Sequence, residues 1–355
     1  TTTTALTAHL FEQCGLNPTV MVGGVPRGGR PWRLGRGGWT VVEGDEYNTA
    51  FFDRGPKFLH YYPHFFVVNN VEFDHGDIYP DLDAIVAAFR AGVARTLELG
   101  GTVVANAGDG GARRAAEGVA GAVWYGEEPE VDLRALAFDH RDGHLAARLA
   151  WRRRVFDVTV PLVGRHNLDN LMAACTCALL AGAEPAAVAA AAAHFPGVRR
   201  RMELLGTAAG VSVVDDFAHH PTAVRETLAA IKEFGLPGWS PGAGRLVAAF
   251  EPRSNTSRRN VFQADYARAF AAADLVFLRE PPGMEATPEA ERLSSARLAA
   301  DLQAQGQTAR AFDDGDTLLA ALLAELRPGD LCLVMSNGGF DNLHARLLDG
   351  LAARA

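Results

Sequence analysis

Val213-Val214-Asp215-Asp216-Phe217-Ala218-His219-His220-Pro221 reads as a buried strand that ends in two acids and two histidines, with Pro221 placed to open a helix. The same unit recurs towards the C-terminus. Strands are expected near 211–215, 245–250, 274–278 and 331–335, and helices near 221–234, 257–272, 294–304 and 315–326. That alternation predicts a doubly wound, mostly parallel sheet. The Pro- and Gly-rich stretches 235–244 and 280–292 read as loops. Upstream, Phe195-Pro196-Gly197 breaks the chain and sets the expected division into domains 1–195 and 196–355.

The first domain has a different texture. Residues 1–14 read as a helix stopped by Gly15, and Asp81 to about Val93 as a second helix. Short apolar runs at Val20-Met21-Val22, Trp39-Thr40-Val41-Val42, Phe65-Phe66-Val67-Val68 and Thr102-Val103-Val104-Ala105 read as buried parallel strands. Between about Ala120 and Val160 apolar and polar residues alternate, and Arg141-Asp142-Gly143 supplies a hairpin turn. This predicts an antiparallel patch attached to the first sheet. Helices follow at Asn167 to Leu180 and over the Ala-rich run 185–193.

Composition narrows the function. At 355 residues the chain is too long for one ordinary core. Its 34 Lys+Arg against 42 Asp+Glu give a net charge of −8, which argues against a broad nucleic-acid or anionic-membrane surface but leaves room for a local phosphate pocket. Cys14, Cys175, Cys177 and Cys332 have neither zinc-site nor redox spacing and read as reduced thiols of a cytosolic protein. No apolar run approaches the roughly 20 residues of a membrane span. Thr1-Thr2-Thr3-Thr4-Ala5-Leu6 has no secretory signal, lacks an initiator Met and begins as if within an element.

The candidate chemistry sits at strand ends. Val41-Val42 runs into Glu43-Gly44-Asp45-Glu46-Tyr47-Asn48, and Phe65 to Asn69 into Asn70-Val71-Glu72-Phe73-Asp74-His75. Sequence distance allows one crossover between neighbouring strands, so that Glu43 and His75 meet beyond the sheet edge. A carboxylate with an imidazole suits Mg²⁺ or Mn²⁺ held partly by phosphates, and the alternative is solvated surface acids. Asn167 and Asn170, three apart at a helix start, share a face that could read an adenine edge, unless Asn167 only caps the helix. Arg199-Arg200-Arg201 suit a phosphate sensor or a solvated basic loop. Zinc at His219-His220 is disfavoured, because adjacent side chains rarely all face one ion. Phe250-Glu251-Pro252-Arg253-Ser254-Asn255-Thr256 and Val334-Met335-Ser336-Asn337-Gly338-Gly339 follow strands of the second domain. Their Gly-Gly pair lets backbone approach a ligand, and Arg253 could hold a carboxylate. A dinucleotide-binding dehydrogenase would need a G-x-G-x-x-G opening a helix, which neither Gly23-Gly24 nor Gly35-Arg36-Gly37-Gly38 supplies.

Over nearly its whole length the chain resembles the Mur ligases. The strings Glu43-Gly44-Asp45-Glu46-Tyr47 with Ala50-Phe51-Phe52-Asp53, Asn69 to His75, Phe250 to Thr256 and Met335 to Phe340 resemble the branch that recycles the murein tripeptide. Gly164-Arg165-His166-Asn167 and Asp215-Asp216 with His219-His220-Pro221 are shared with the L-alanine-adding branch, the alternative. The resemblance implies an ATPase domain with a mostly parallel sheet and an added antiparallel patch, followed by a Rossmann-like domain. It implies an ATP- and Mg²⁺-dependent amide ligase acting on UDP-N-acetylmuramate and the tripeptide, cytoplasmic, and a monomer or weak dimer. It implies Thr1, Glu43 and His75 at the metal, and His166, Asn167, Asn170, Arg201 and Asp216 at the nucleotide. Arg201 is implied for the chemistry, with His219 or else His220 a candidate base because imidazole titrates near neutral pH, and Arg253, Ser254 and Asn255 for the peptide's carboxylate-rich end. The chain starts at Thr1 where the family reads Gly-Lys and then threonines. The expectation is therefore a chain without the phosphate-loop lysine or the domain preceding it, and with little or no activity.

Overall fold

The computed structural model describes residues 1–76, 78–284 and 287–354. Part of the loop expected over 280–292, and the last residue of the second expected domain, lie outside them. The chain splits into two compact units, Thr1–Val198 and Arg199–Ala355.

The first unit opens with α1 (Thr2–Gln13), ended by Gly15 at φ +82°, the left-handed conformation that glycine takes without a Cβ penalty. Then come β1 (Thr19–Met21), β2 (Trp32–Arg33), β3 (Thr40–Val42), β4 (Asn48–Ala50), β5 (Asp53–Pro56) and β6 (Phe65–Val68). Next are α2 (Leu82–Glu98), β7 (Thr102–Asn106), α3 (Gly110–Ala115) and β8 (Val123–Gly126). The unit closes with β9 (Leu133–Arg141), β10 (His144–Trp151), β11 (Arg154–Val160), α4 (Arg165–Leu180) and α5 (Pro185–Ala192). The main sheet runs β11-β10-β9-β8-β7-β6. Strands β6 to β9 pair in parallel, and β9 to β11 form the expected antiparallel patch. Asp142 and Gly143, both at positive φ, make the tight turn between β9 and β10. Leu6, Leu10 and Phe11 of α1 and Leu168, Leu171 and Cys175 of α4 share one core with Tyr125, Leu145 and Leu149 of the sheet. Phe58, Phe66, Val86 and Phe89 belong to a second.

One expectation fails. Strands β1 and β3 do not join the sheet of β6; they pair with each other and with β2 in a separate small sheet. Glu43 and His75 therefore do not end neighbouring strands. The chain between them runs through the β4–β5 hairpin and a 3-10 turn at Lys57–His60, because Gly44, Gly55, Pro56 and Pro63 interrupt any helical crossover.

The second unit contains β12 (Glu203–Ala208), β13 (Val211–Asp216), α6 (Pro221–Phe234), β14 (Leu246–Glu251), α7 (Gln263–Ala269) and β15 (Leu275–Arg279). It continues through α8 (Ser295–Ala304), β16 (Thr308–Phe312), α9 (Gly315–Glu325), β17 (Leu331–Ser336) and α10 (Leu343–Ala352). The sheet order is β12-β13-β17-β14-β15-β16, parallel except at β12. Strands β13, β14, β15 and β17 are buried throughout, which explains their unbroken apolar runs. The sequence reading missed β12, β16 and α10. The helix expected over 257–272 shrinks to α7 behind a 3-10 turn at Asn260–Phe262. Ser254 competes with a helix there by accepting Ser257 N–H at 3.0 Å.

Candidate active site

In the first unit, β3 delivers Glu43 to the start of α1. Thr1 Oγ1 donates to Glu43 Oε1 at 2.6 Å, and Gly23 N–H donates to Oε2 at 2.7 Å. The Gly23-Gly24 pair allows this approach. A Cβ on Gly23 would sit 3.0 Å from Glu43 Oε2, and one on Gly24 2.6 Å from Thr1 Cγ2. Burial raises the Glu43 pKa, and the Thr1 hydroxyl and the Gly23 amide that bond its oxygens pull it down. His75, at φ +55°, lies against Tyr47 with ring centroids 4.1 Å apart and planes tilted by 58°, and its Nε2 lies 4.0 Å from Glu46 Oε2. Burial raises the Glu46 carboxyl, and the nearby His75 opposes that.

The Thr1 hydroxyl and the Glu43 carboxylate, bonded to each other, are oxygen donors of the kind a hard divalent cation takes. Among the described residues no three His, Cys, Asp or Glu side chains form a ready cage. The protein could supply one or two ligands, with phosphate oxygens completing the shell, as is usual for Mg²⁺.

Gly164, not Asn167, occupies the N-cap of α4. Asn167 is buried, donating to Val163 O at 2.7 Å and lying 3.1 Å from His166 Nε2. Asn170 donates to Asn167 Oδ1 at 3.0 Å and accepts from the Thr3 hydroxyl at 2.6 Å and Asn69 Nδ2 at 3.1 Å. One helical position earlier, Asp169 is pushed up to about 6, chiefly by burial, against the pull of Arg165 and a hydrogen bond from Asn106.

In the second unit, Asp216 is buried at the end of β13, accepting Met202 N–H and Ala218 N–H at 2.7 Å each. Burial raises its pKa, and the nearby Arg201 charge opposes this. Arg201 lies over the Phe217 ring at 5.2 Å. Arg200 is committed internally, donating to Ser336 O and Gly338 O and pairing with Asp215 at 3.3 Å. His219 Nδ1 lies 3.0 Å from Phe217 O. His220 caps α6, its Nδ1 accepting Thr222 N–H at 3.3 Å.

Glu251 is fully buried. It pairs with Arg279, accepts from Ser336 Oγ at 2.7 Å and lies 4.0 Å from Arg253 Nη1. Arg253 lies across Gly338, where a Cβ would come within 2.2 Å of its Cδ. Ser254 Oγ donates to Ser257 Oγ at 2.8 Å, and Asn255 Oδ1 accepts from Arg258 at 2.9 Å.

Sequence reasoning missed Glu46, Asn69, Thr3, Tyr125 and Arg279. The first two lie beside strand ends already singled out for their acids. The other three lacked a local signal, since no motif or spacing around them set them apart.

Comparison with known proteins followed both units. Residues 40–178 match the Mur ligase middle domain and residues 200–338 the Mur ligase glutamate ligase domain. The chain is 37% identical to the Escherichia coli K12 UDP-N-acetylmuramate–L-alanyl-γ-D-glutamyl-meso-2,6-diaminoheptandioate ligase, covering all of this chain and 74% of that protein. It is 33% identical to the UDP-N-acetylmuramate–L-alanine ligase of Symbiobacterium thermophilum, covering all of this chain and 72% of that one. The crystal structure of a murein peptide ligase from Psychrobacter arcticus 273-4 superposes with a TM-score of 0.72 at 26% identity, over 99% of this chain and 75% of that one.

Proposed function

Because this chain belongs to the Mur ligase family of ATP-dependent amide ligases, we propose that it joins the lactoyl carboxylate of UDP-N-acetylmuramate to the free amine of L-Ala-γ-D-Glu-meso-diaminopimelate through an acyl phosphate. The observation that carries this reading is the 37% identity, sustained across both units, to a ligase named for that tripeptide. The full-length match to L-alanine ligases supports the second reading, in which L-alanine is the amine.

Magnesium, when bound, would screen the repulsion between ATP and the carboxylate, held by Thr1, Glu43 and His75. The protein's own groups mainly position the reactants. Gly23 N–H and the Thr1 hydroxyl keep Glu43 ionised and aimed. His166, Asn167 and Asn170 stand at the start of α4, on the nucleotide side of the reading. Asp216 fixes the turn that presents Arg201, whose guanidinium fork suits a phosphate. The amine must attack as the neutral species. With the Nδ1 of His219 donating to Phe217 O, its Nε2 is the nitrogen that would take the proton. Arg253, with Ser254 and Asn255, would receive the peptide's carboxylates.

Among the described residues no helix is long and apolar enough to cross a membrane. A cytoplasmic monomer or weak dimer is part of the same proposal. The test is a mass assay of products formed from UDP-N-acetylmuramate, ATP and Mg²⁺ with tripeptide or L-alanine offered separately. A product with tripeptide only is expected; turnover of L-alanine without tripeptide would replace the reading by the second.

A further inference from the structure

One arginine of the second unit joins the ends of three strands. Arg279, the last residue of β15, is 9% exposed. It pairs with Glu251, the last residue of β14, and its Nη2 lies 2.8 Å from Asp341 Oδ2, in the turn that follows β17. That turn is strained. Phe340, Asp341 and Asn342 stand in succession at φ +45°, +48° and +55°, a region that residues with a Cβ rarely hold. Glu251 also faces a second arginine. Its Oε1 accepts from Ser336 Oγ at 2.7 Å and lies 4.0 Å from Arg253 Nη1, beyond hydrogen-bond reach. Arg253 keeps 47% of its side chain exposed, laid across Gly338.

A fully buried carboxylate draws in any cation within reach, because nothing else offsets its lost hydration. Were Glu251 without Arg279, Arg253 would close the gap and turn away from solvent. We infer that Arg279 is a positioning residue for peptide recognition: by taking up the charge of Glu251 it leaves the Arg253 guanidinium to fork onto a peptide carboxylate. Through Asp341 it also fixes the turn next to the Gly338-Gly339 backbone that Arg253 lies on.

The inference rests on the reading that Arg253 receives the peptide's carboxylates. Calorimetry on the intact protein tests it, with UDP-N-acetylmuramate, Mg²⁺ and a non-hydrolysable ATP analogue present. Two peptides are compared: L-Ala-γ-D-Glu-meso-diaminopimelate, and the same peptide with its diaminopimelate carboxyls converted to amides. Urea unfolding is the control. Arg279→Leu should weaken the tripeptide about tenfold, the loss of one charge-assisted hydrogen bond, and the amide peptide by less than about twofold. Arg279→Lys keeps a cation against Glu251 and should stay within about threefold. Glu251→Gln added to Arg279→Leu removes the charge that would capture Arg253 and should restore most of the affinity. Unchanged tripeptide affinity in folded Arg279→Leu overturns the inference. Equal weakening of both peptides does so too, since it marks a merely structural role. If Arg279→Leu does not fold, the other two variants decide, and about tenfold weaker tripeptide binding in either overturns the inference. If the unaltered protein binds neither peptide, or both alike, the reading of Arg253 falls instead.

Discussion

The two units end their parallel strands in very different ways. In the first, the charged groups are held lightly. Glu43 keeps 27% of its side chain exposed on a hydroxyl and an amide, and Glu46 and His75 sit 4.0 Å apart without a hydrogen bond. In the second they are closed on one another. Glu251, with no exposure, is shared by Arg279 and Ser336; Asp215 lies between Arg200 and His344; Asp216 holds two backbone amides. A buried charge is tolerable only when paired, so the second set builds a rigid platform. The loosely held first set leaves its ligand positions to be completed by something bound.

That contrast can be broken most directly at its extremes. Glu251→Ala leaves the buried Arg279 with Asp341 alone and should cost the second unit about 3 kcal/mol, read from urea unfolding. Glu43→Ala should change stability by at most about 1 kcal/mol while lowering ligation at least a hundredfold, a split that stability and rate measurements on one preparation would show. If Glu43→Ala instead unfolds the protein, the two strand ends are alike after all.

Asp169 is a smaller, pH-dependent exception within the first unit. Burial, with the Glu127 and Asp109 charges, raises its pKa to about 6 against an ordinary 3.8. A raised carboxyl binds its proton more tightly in the folded state. Its stabilising contribution is present below about pH 4 and is lost as pH rises through 6. Asp169→Asn should therefore stabilise by about 1–3 kcal/mol at pH 8 and by nothing at pH 3.5, seen as denaturation midpoints that converge on acidification. Gly338→Ala probes the other platform. Its methyl must displace the Arg253 side chain, and a several-fold rise in KM for the peptide with KM for ATP unmoved is expected from steady-state kinetics. The smallest effect is at the start of α2. Asp81 caps α2 by accepting Ala84 N–H at 2.8 Å, and Asp81→Ala should cost about 1 kcal/mol with ligation unaffected.

Much of this was legible beforehand. Unbroken apolar runs marked β13, β14, β15 and β17, and Asp142-Gly143 marked a hairpin, because a fully buried strand and a tight turn each restrict their own residues. Edge strands such as β16, with a mixed burial pattern, lacked that restriction and were missed. At the site, acids at strand ends pointed to Glu43, and the histidine pair to His219. Which histidine caps a helix, and which arginine of three is tied down, was not readable, since both depend on what a folded neighbour offers within 3 Å.

Residue order alone therefore determined the α/β class and the family, because burial and backbone torsion act on each segment where it stands. Only the tertiary structure decided that β3 and β6 lie in different sheets, that Asn170 meets Thr3 and Asn69, and that Glu251 is closed off by Arg279. Hydrogen bonds and ion pairs act over about 3 Å in space and carry no trace in the distance along the chain.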